Sequence, residues 1–198
     1  MTDLFAALPE VDEAAQRRLH DRLAAAAAEA GLLDVAYRTI DTPIGALLLA
    51  ATDAGLVRVA FAVEGHDRVL EQLAVSVSPR VLRAAGRLDP AAVELEEYFA
   101  GRRTSFDLPL DLRLSSGFRR LVLGELIRIG YGSTASYAAI AVAAGSPRAV
   151  RAVGNACATN PLPIVVPCHR VLRSDGSIGQ YLAGPEVKRT LLDLEHPS

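Results

Sequence analysis

The chain has 198 residues, 51% of them hydrophobic, with a formal net charge of −2 and a mean hydropathy of +0.23. That length fits one large domain or two small ones, and that composition excludes a wholly disordered chain. Two cysteines exclude a disulfide framework, no apolar run is long enough to span a bilayer, and the acidic N-terminus lacks a secretory signal. A soluble protein of a reducing compartment is expected. The net charge hides an asymmetry. Residues 1–114 carry 12 Lys+Arg against 18 Asp+Glu, and residues 115–198 carry 9 against 5. A basic C-terminal half suggests a surface for a polyanion confined to one part of the chain.

Residues 12–30 predict an amphipathic helix, capped by Asp12, rich in alanine and stopped by Gly31. From Asp34 the period changes. Val35, Tyr37 and Thr39, the turn Thr42-Pro43-Ile44-Gly45, and Ala46–Ala51 predict two strands. A third, Leu56–Ala62, follows the turn Asp53-Ala54-Gly55. Helices are expected at 66–76 and 90–100, the second opening on Asp89-Pro90 and ending near Gly101. Ser105–Leu112, interrupted by Pro109, reads as an extended segment or edge strand. The expectation is a helical extension over 1–33, then an α/β (α+β) domain over 34–112 with a small antiparallel sheet and helices.

Residues 113–198 read as a mainly helical domain with a helix-turn-helix and a short active-site strand or loop. Phe118–Ile129 sets Leu121, Val122, Leu126 and Ile129 at helical spacing. Ser136 caps a short helix, Tyr137–Ala144, Gly145-Ser146 turns the chain, and Ser146-Pro147 opens a second helix, Pro147–Ala158. Spacing alone equally describes an ordinary helical hairpin. The face of the second helix favours a helix-turn-helix. Ala149, Val150, Ala152 and Gly154 leave its backbone uncovered, while Arg148 and Arg151 bring charge.

After the loop Asn160-Pro161-Leu162-Pro163, the octapeptide Ile164–Val171 predicts a short buried strand stopped at Pro167. Cys168, His169 and Arg170 follow in a row. A cysteine beside basic groups fits a nucleophilic thiolate of lowered pKa. An inert buried cysteine is the alternative. Neighbouring strand residues face opposite ways, so His169 would act on Cys168 through a turn or a water. Glu195, near the end of a final helix Glu186–Glu195, is a candidate to orient His169, a solvated terminal charge being the alternative. Cys157 reads as structural. No Cys/His cluster in the first half suggests a zinc site, and no metal is expected.

Pro167-Cys168-His169-Arg170 stands in order and spacing with Ser136-Tyr137, Arg151-Ala152-Val153-Gly154 and Asn160-Pro161 before it. Gly179-Gln180-Tyr181 and Lys188–Glu195 follow it. This set resembles the O6-alkylguanine-DNA alkyltransferases, the methylated-DNA–protein-cysteine methyltransferases, over residues 116–195. The resemblance implies a suicide repair reaction on double-stranded DNA containing O6-alkylguanine, without a cofactor. It implies a cytoplasmic protein, monomeric when free. Cys168 would accept the alkyl group. His169 would act as base through a water, polarised by Glu195. Asn160 would brace the cysteine turn, and Tyr137 would help flip the nucleotide and protonate the leaving guanine. Arg151 would fill the vacated stack, with Ser136, Arg148, Ala149, Val150 and Ser174 also at the DNA. Val171, Tyr181 and Leu182 would line the guanine pocket. Leu182 departs from the small residue pair common after the pocket tyrosine. Arg119-Arg120 replace a Gln-Gln pair of many members and would add phosphate contacts. A lesion-binding module without transfer and a cysteine hydrolase using Cys168, His169 and Glu195 are the rival classes.

Overall fold

The structure, a computed structural model, describes residues 12–196. Residues 1–11 of the expected N-terminal extension lie outside the described residues. Helix α1 (Glu13–Glu29) opens as its sequence predicts, with the Asp12 carboxylate accepting from the backbone N–H groups of Ala14 and Ala15. It closes at Gly31, whose φ of +65° lets the Leu32 N–H return 2.8 Å to the Ala27 carbonyl.

The sheet contains β1 (Val35–Ile40), β2 (Leu47–Thr52), β3 (Gly55–Phe61) and β4 (Val81–Arg83), in the order β3-β2-β1-β4. β1–β2 and β2–β3 are antiparallel hairpins, with Ala36 opposite Ala51 and Leu49 opposite Val59. β4 pairs parallel to β1, so the expected antiparallel sheet is mixed at that edge. Three residues are too few to show a period, which is why β4 escapes a sequence reading. α1 lies along this edge, with His20 Nε2 2.6 Å from the Arg83 carbonyl oxygen. Ser105–Leu112 forms no strand. It makes one bridge, Leu110 to Leu56, and crosses so close to Gly55 that a Cβ there would sit 2.2 Å from the Pro109 oxygen.

Alternation along the strands separates two cores. Val35, Leu48, Ala50, Val57 and Ala60 pack on Val69 and Leu73 of α2 (His66–Ser76). On the opposite face Leu47, Leu49, Val59 and Phe61 meet α3 (Asp89–Phe99) and continue without a break into the second half of the chain. There they join Val122 and Leu126 of α4 (Gly117–Ile127), Ile140 of α5 (Tyr137–Ala143) and Val153 of α6 (Val150–Ala158). Leu191 of α7 (Pro185–Glu195) completes the cluster.

Two expectations change here. The second helix of the hairpin begins at Val150, not Pro147. Ser146–Ala149 is a turn closed by the Ala149 N–H on the Ser146 carbonyl at 2.9 Å, with Pro147 at its second position. Proline's fixed φ suits that position as well as a first helical turn. Arg148 therefore precedes the helix and Ala149 is its N-cap. Ile164–Val171 is buried but is not a strand. The chain turns at Val166, whose N–H bonds the Leu162 carbonyl at 2.8 Å, and Cys168–Arg170 forms a single 3-10 turn. Prolines 161, 163 and 167 each lack an N–H, so no ladder runs through this segment. Only β6 (Val171–Leu172) is extended, pairing parallel with β5 (Ala135–Ser136).

Candidate active site

The β5–β6 pair brings the start of α5 beside the cysteine turn. Ala135 faces Val171 and Ser136 faces Leu172, so Tyr137 emerges next to the segment that follows Cys168. The Ser136 hydroxyl oxygen accepts from the Ala139 N–H at 3.0 Å and caps the helix. The turn is held from inside by Asn160. Its Nδ2 donates to the Val166 carbonyl at 2.8 Å, and its Oδ1 accepts from the Leu162 N–H at 3.0 Å. These two bonds replace ladder bonds that the prolines forbid. Between them Ile164 takes φ +74°, a left-handed conformation that costs a β-branched residue about 1–3 kcal/mol.

Cys168 is only 3% exposed and His169 not at all. They do not touch through a hydrogen bond. His169 Nε2 lies 2.9 Å from Glu195 Oε1 at the end of α7. Glu195 is not the solvated charge that its place near the C-terminus would allow. It is buried and accepts five hydrogen bonds. His169, Arg170 Nη2 at 2.9 Å and Tyr98 Oη at 2.7 Å share Oε1. Arg170 Nε at 2.8 Å and the Gly132 N–H at 3.3 Å share Oε2. Burial raises this carboxyl, and the bonds from His169, Arg170 and Tyr98 outweigh it, bringing Glu195 from 4.5 to about 2. An ionised carboxylate only accepts, so the facing Nε2 carries the imidazole proton. Burial also pushes His169 below its ordinary value, against the pull of Glu195. A neutral ring with Nε2–H then presents a basic lone pair at Nδ1, a buried atom with no partner among the described residues.

The thiol itself overturns one expectation. Arg170 does not lower it, because its guanidinium is spent on Glu195 and on the Ile129 carbonyl at 2.5 Å. Burial pushes the Cys168 thiol up, while Asn160, the Lys188 charge and the Tyr181 hydroxyl oppose that rise. A resting thiol held neutral needs a base, and His169 Nδ1 is the basic atom of this turn.

Tyr137 and Tyr181 stand within reach of the thiol. Tyr181 packs edge-on to Phe61, with its hydroxyl buried at the sulfur. Tyr137 is half-buried, and burial raises its phenol. Its hydroxyl is so close to Gly179 that a Cβ there would lie 2.6 Å away. The Val171 carbonyl accepts from Lys188 Nζ at 2.5 Å. Arg148, Val150 and Arg151 are instead exposed, Ala149 is half-exposed, and all lie at the mouth of α6. Ser174 is exposed in the Arg173–Ser177 turn, and Leu182 is 40% exposed beyond Tyr181. Cys157, on α6, is half-buried and pushed up to about 12 by burial.

Sequence reasoning missed Tyr98, Arg170 as a carboxylate partner, and Lys188 as a brace. Arg170 stands inside the quoted motif, yet only the fold shows which way it turns. Tyr98 lies three residues after Leu95 and four after Glu94 on the buried face of α3, a placement that marks core and not chemistry. Among the described residues no cluster of three or more His, Cys, Asp or Glu is placed to hold a metal, and no helix is long and apolar enough to cross a membrane.

Comparison with known proteins identifies the family of the chain. The 6-O-methylguanine DNA methyltransferase DNA binding domain matches residues 117–197, and the ribonuclease-like domain of the same proteins matches residues 35–112. A methylated-DNA–protein-cysteine methyltransferase of Methanosarcina barkeri is 40% identical over 159 residues, covering 80% of this chain and 96% of that protein. The constitutive enzyme of that name from Bacillus subtilis is 39% identical over 163 residues, 82% of this chain and 96% of its own. The crystal structure of Mycobacterium tuberculosis OGT in complex with DNA superposes with a TM-score of 0.71 at 41% identity, covering 81% of this chain and 93% of that one. With both domain matches and relatives near 40% identity along most of its length, the chain belongs to the methylated-DNA–protein-cysteine methyltransferase family.

Proposed function

We propose that this protein repairs O6-alkylguanine in double-stranded DNA by moving the alkyl group, once and irreversibly, onto Cys168. The observation that carries the reading is a buried cysteine followed by a buried histidine whose Nε2 lies 2.9 Å from a buried carboxylate, in a chain of this family. α5, the Gly145 turn and α6 form the DNA-facing helix-turn-helix of residues 113–198, with the α/β unit of 34–112 behind it. Exposed Arg151, at the start of α6, enters the stack vacated by the flipped nucleotide. Arg148, Ala149, Val150, Ser136 and Ser174 lie along the backbone of the duplex. Val171, Tyr181 and Leu182 bound the guanine.

The chemistry balances without a cofactor. His169 Nδ1 takes the thiol proton through a water, and the imidazolium is stabilised by Glu195. The sulfur attacks the alkyl carbon, forming S–C while C–O6 breaks, and the bond pair goes to the guanine oxygen. Tyr137 supplies a proton to the guanine that leaves. The thioether has no base that can cleave it, so each chain reacts once. The protein works wherever DNA is held, which we place in the cytoplasm, and it is monomeric when free.

Intact mass after incubation with a duplex carrying O6-methylguanine tests this. One methyl per chain, mapped to the Cys168 peptide and absent from Cys168→Ser, is expected. Binding without added mass points to a lesion-binding module, and repeated turnover of an ester substrate points to a hydrolase. Either result overturns the reading.

A further inference from the structure

Tyr98 sits on α3, in the first half of the chain, with its side chain fully buried. Its ring is packed against Phe99, Phe106 and Tyr131, with centroids 5.4, 5.3 and 6.2 Å apart. None of these contacts needs a hydroxyl. A phenylalanine would bury the same surface without the cost of desolvating an O–H. The hydroxyl is directed at one acceptor, Glu195 Oε1, at 2.7 Å. That oxygen is also the one that holds His169 Nε2.

We propose that Tyr98 is a positioning residue for the alkyl transfer, through which the α/β half of the chain fixes the carboxylate oxygen that orients His169. The proposal rests on the His169–Glu195 relay described above. Its physical content is a competition for charge. Oε1 is shared by three donors, His169, Arg170 and Tyr98, so each receives part of what the carboxylate offers. His169 faces Glu195 and Arg170 and feels the charge of Lys188. Glu195 faces His169, Arg170 and Tyr98, and Tyr131 lies within reach of its charge. Of these groups Tyr98 is the one contributed by residues 34–112. Removing its hydroxyl leaves more negative charge on Oε1 for the imidazolium, which then forms more easily.

Transfer requires neutral His169, so its rate falls as pH falls through the titration of that ring. Single-turnover transfer rates from O6-methylguanine duplex, measured against pH, read this acid limb directly. In Tyr98→Phe, which keeps the ring packing, the limb is expected to move up by about half to one pH unit. With 3-fluorotyrosine placed at position 98, a stronger donor that keeps both ring and hydroxyl, it moves the other way. His169→Gln abolishes the limb. If the limb vanishes in His169→Gln but stays at its wild-type pH in both Tyr98 variants, Tyr98 is merely structural and the proposal falls alone. If the limb survives in His169→Gln, the relay falls and takes the role of Tyr98 with it.

Discussion

Five hydrogen bonds on one buried carboxylate make Glu195 the residue with most at stake. Its folded pKa of about 2 lies below the ordinary 4.5, so as pH falls the unfolded chain takes the proton first. The stabilisation is complete above pH 4.5 and is lost progressively toward pH 2. Glu195→Gln removes the counter-charge of buried Arg170 and is expected to cost about 3–5 kcal/mol at neutral pH. Urea unfolding at pH 7 and pH 3 checks both statements, because the gap between wild type and variant must narrow on acidification. A constant gap refutes the linkage. The sequence made part of this site legible. Cys168 and His169 stand out as candidates because the chain has only two cysteines and four histidines, and the family resemblance adds Glu195, which the fold brings to His169. Arg170 and Tyr98 do not stand out, since a side chain's direction and a contact across 97 residues leave no local pattern. The adjacent guanidinium even misled. It reads as a charge for the thiol and serves the carboxylate instead.

At the scale of elements, the helices and long strands follow their periods; β4 is too short to show one, and the other departures fall where proline has two uses. Pro147 fits a first helical turn and a tight turn alike. Pro167 stops a strand in the sequence, yet with Pro161 and Pro163 it prevents one in the fold. The loop before Tyr181 shows what such irregular segments do for the site. Gly179 packs against the Tyr137 ring with no room for a methyl group: a Cβ added there would lie 2.6 Å from the hydroxyl and 3.2 Å from the ring edge. Gly179→Ala must therefore push the phenol off its position at the head of α5. Tyr137 is half-buried and can swing outward, so stability changes little. If Tyr137 is the proton donor of the proposed transfer, its displacement is costlier, and transfer is expected to slow by about a hundred-fold. In a Tyr137→Phe background the nearest atom is gone, and Gly179→Ala should add little further loss. Melting temperature and single-turnover rate measured on the same variants separate the two effects. A stability loss that tracks the rate loss would assign Gly179 to packing alone.

Over the whole molecule, the sequence reads as an α/β unit followed by a helical one, whereas the larger of the two hydrophobic clusters spans both. Leu47, Leu49, Val59 and Phe61 on one sheet face share a cluster with Val122, Leu126, Val153, Leu162 and Leu191. The backbone crosses the same boundary, with the Val59 N–H bonded to the Pro161 carbonyl at 2.8 Å and Arg58 reaching that oxygen at 3.1 Å. Tyr98 adds the contact to Glu195. Cutting between residues 112 and 113 would expose an apolar sheet face on one piece and the acceptor helices on the other. Burying each such Leu, Val or Phe side chain is worth about 1.5–3 kcal/mol, so losing several of them is comparable with the net stability of a typical domain, about 5–15 kcal/mol. Pieces 34–112 and 113–198, made separately, are expected to lack near-ultraviolet circular dichroism and to bind a hydrophobic dye. Mixed together, they should recover both the spectrum and methyl transfer to Cys168. Independent folding of either piece would show that the shared cluster is an interface between two self-sufficient cores. The opposite result makes the α/β half part of the scaffold of Cys168 itself, and the Tyr98–Glu195 hydrogen bond is one of the contacts that join the two.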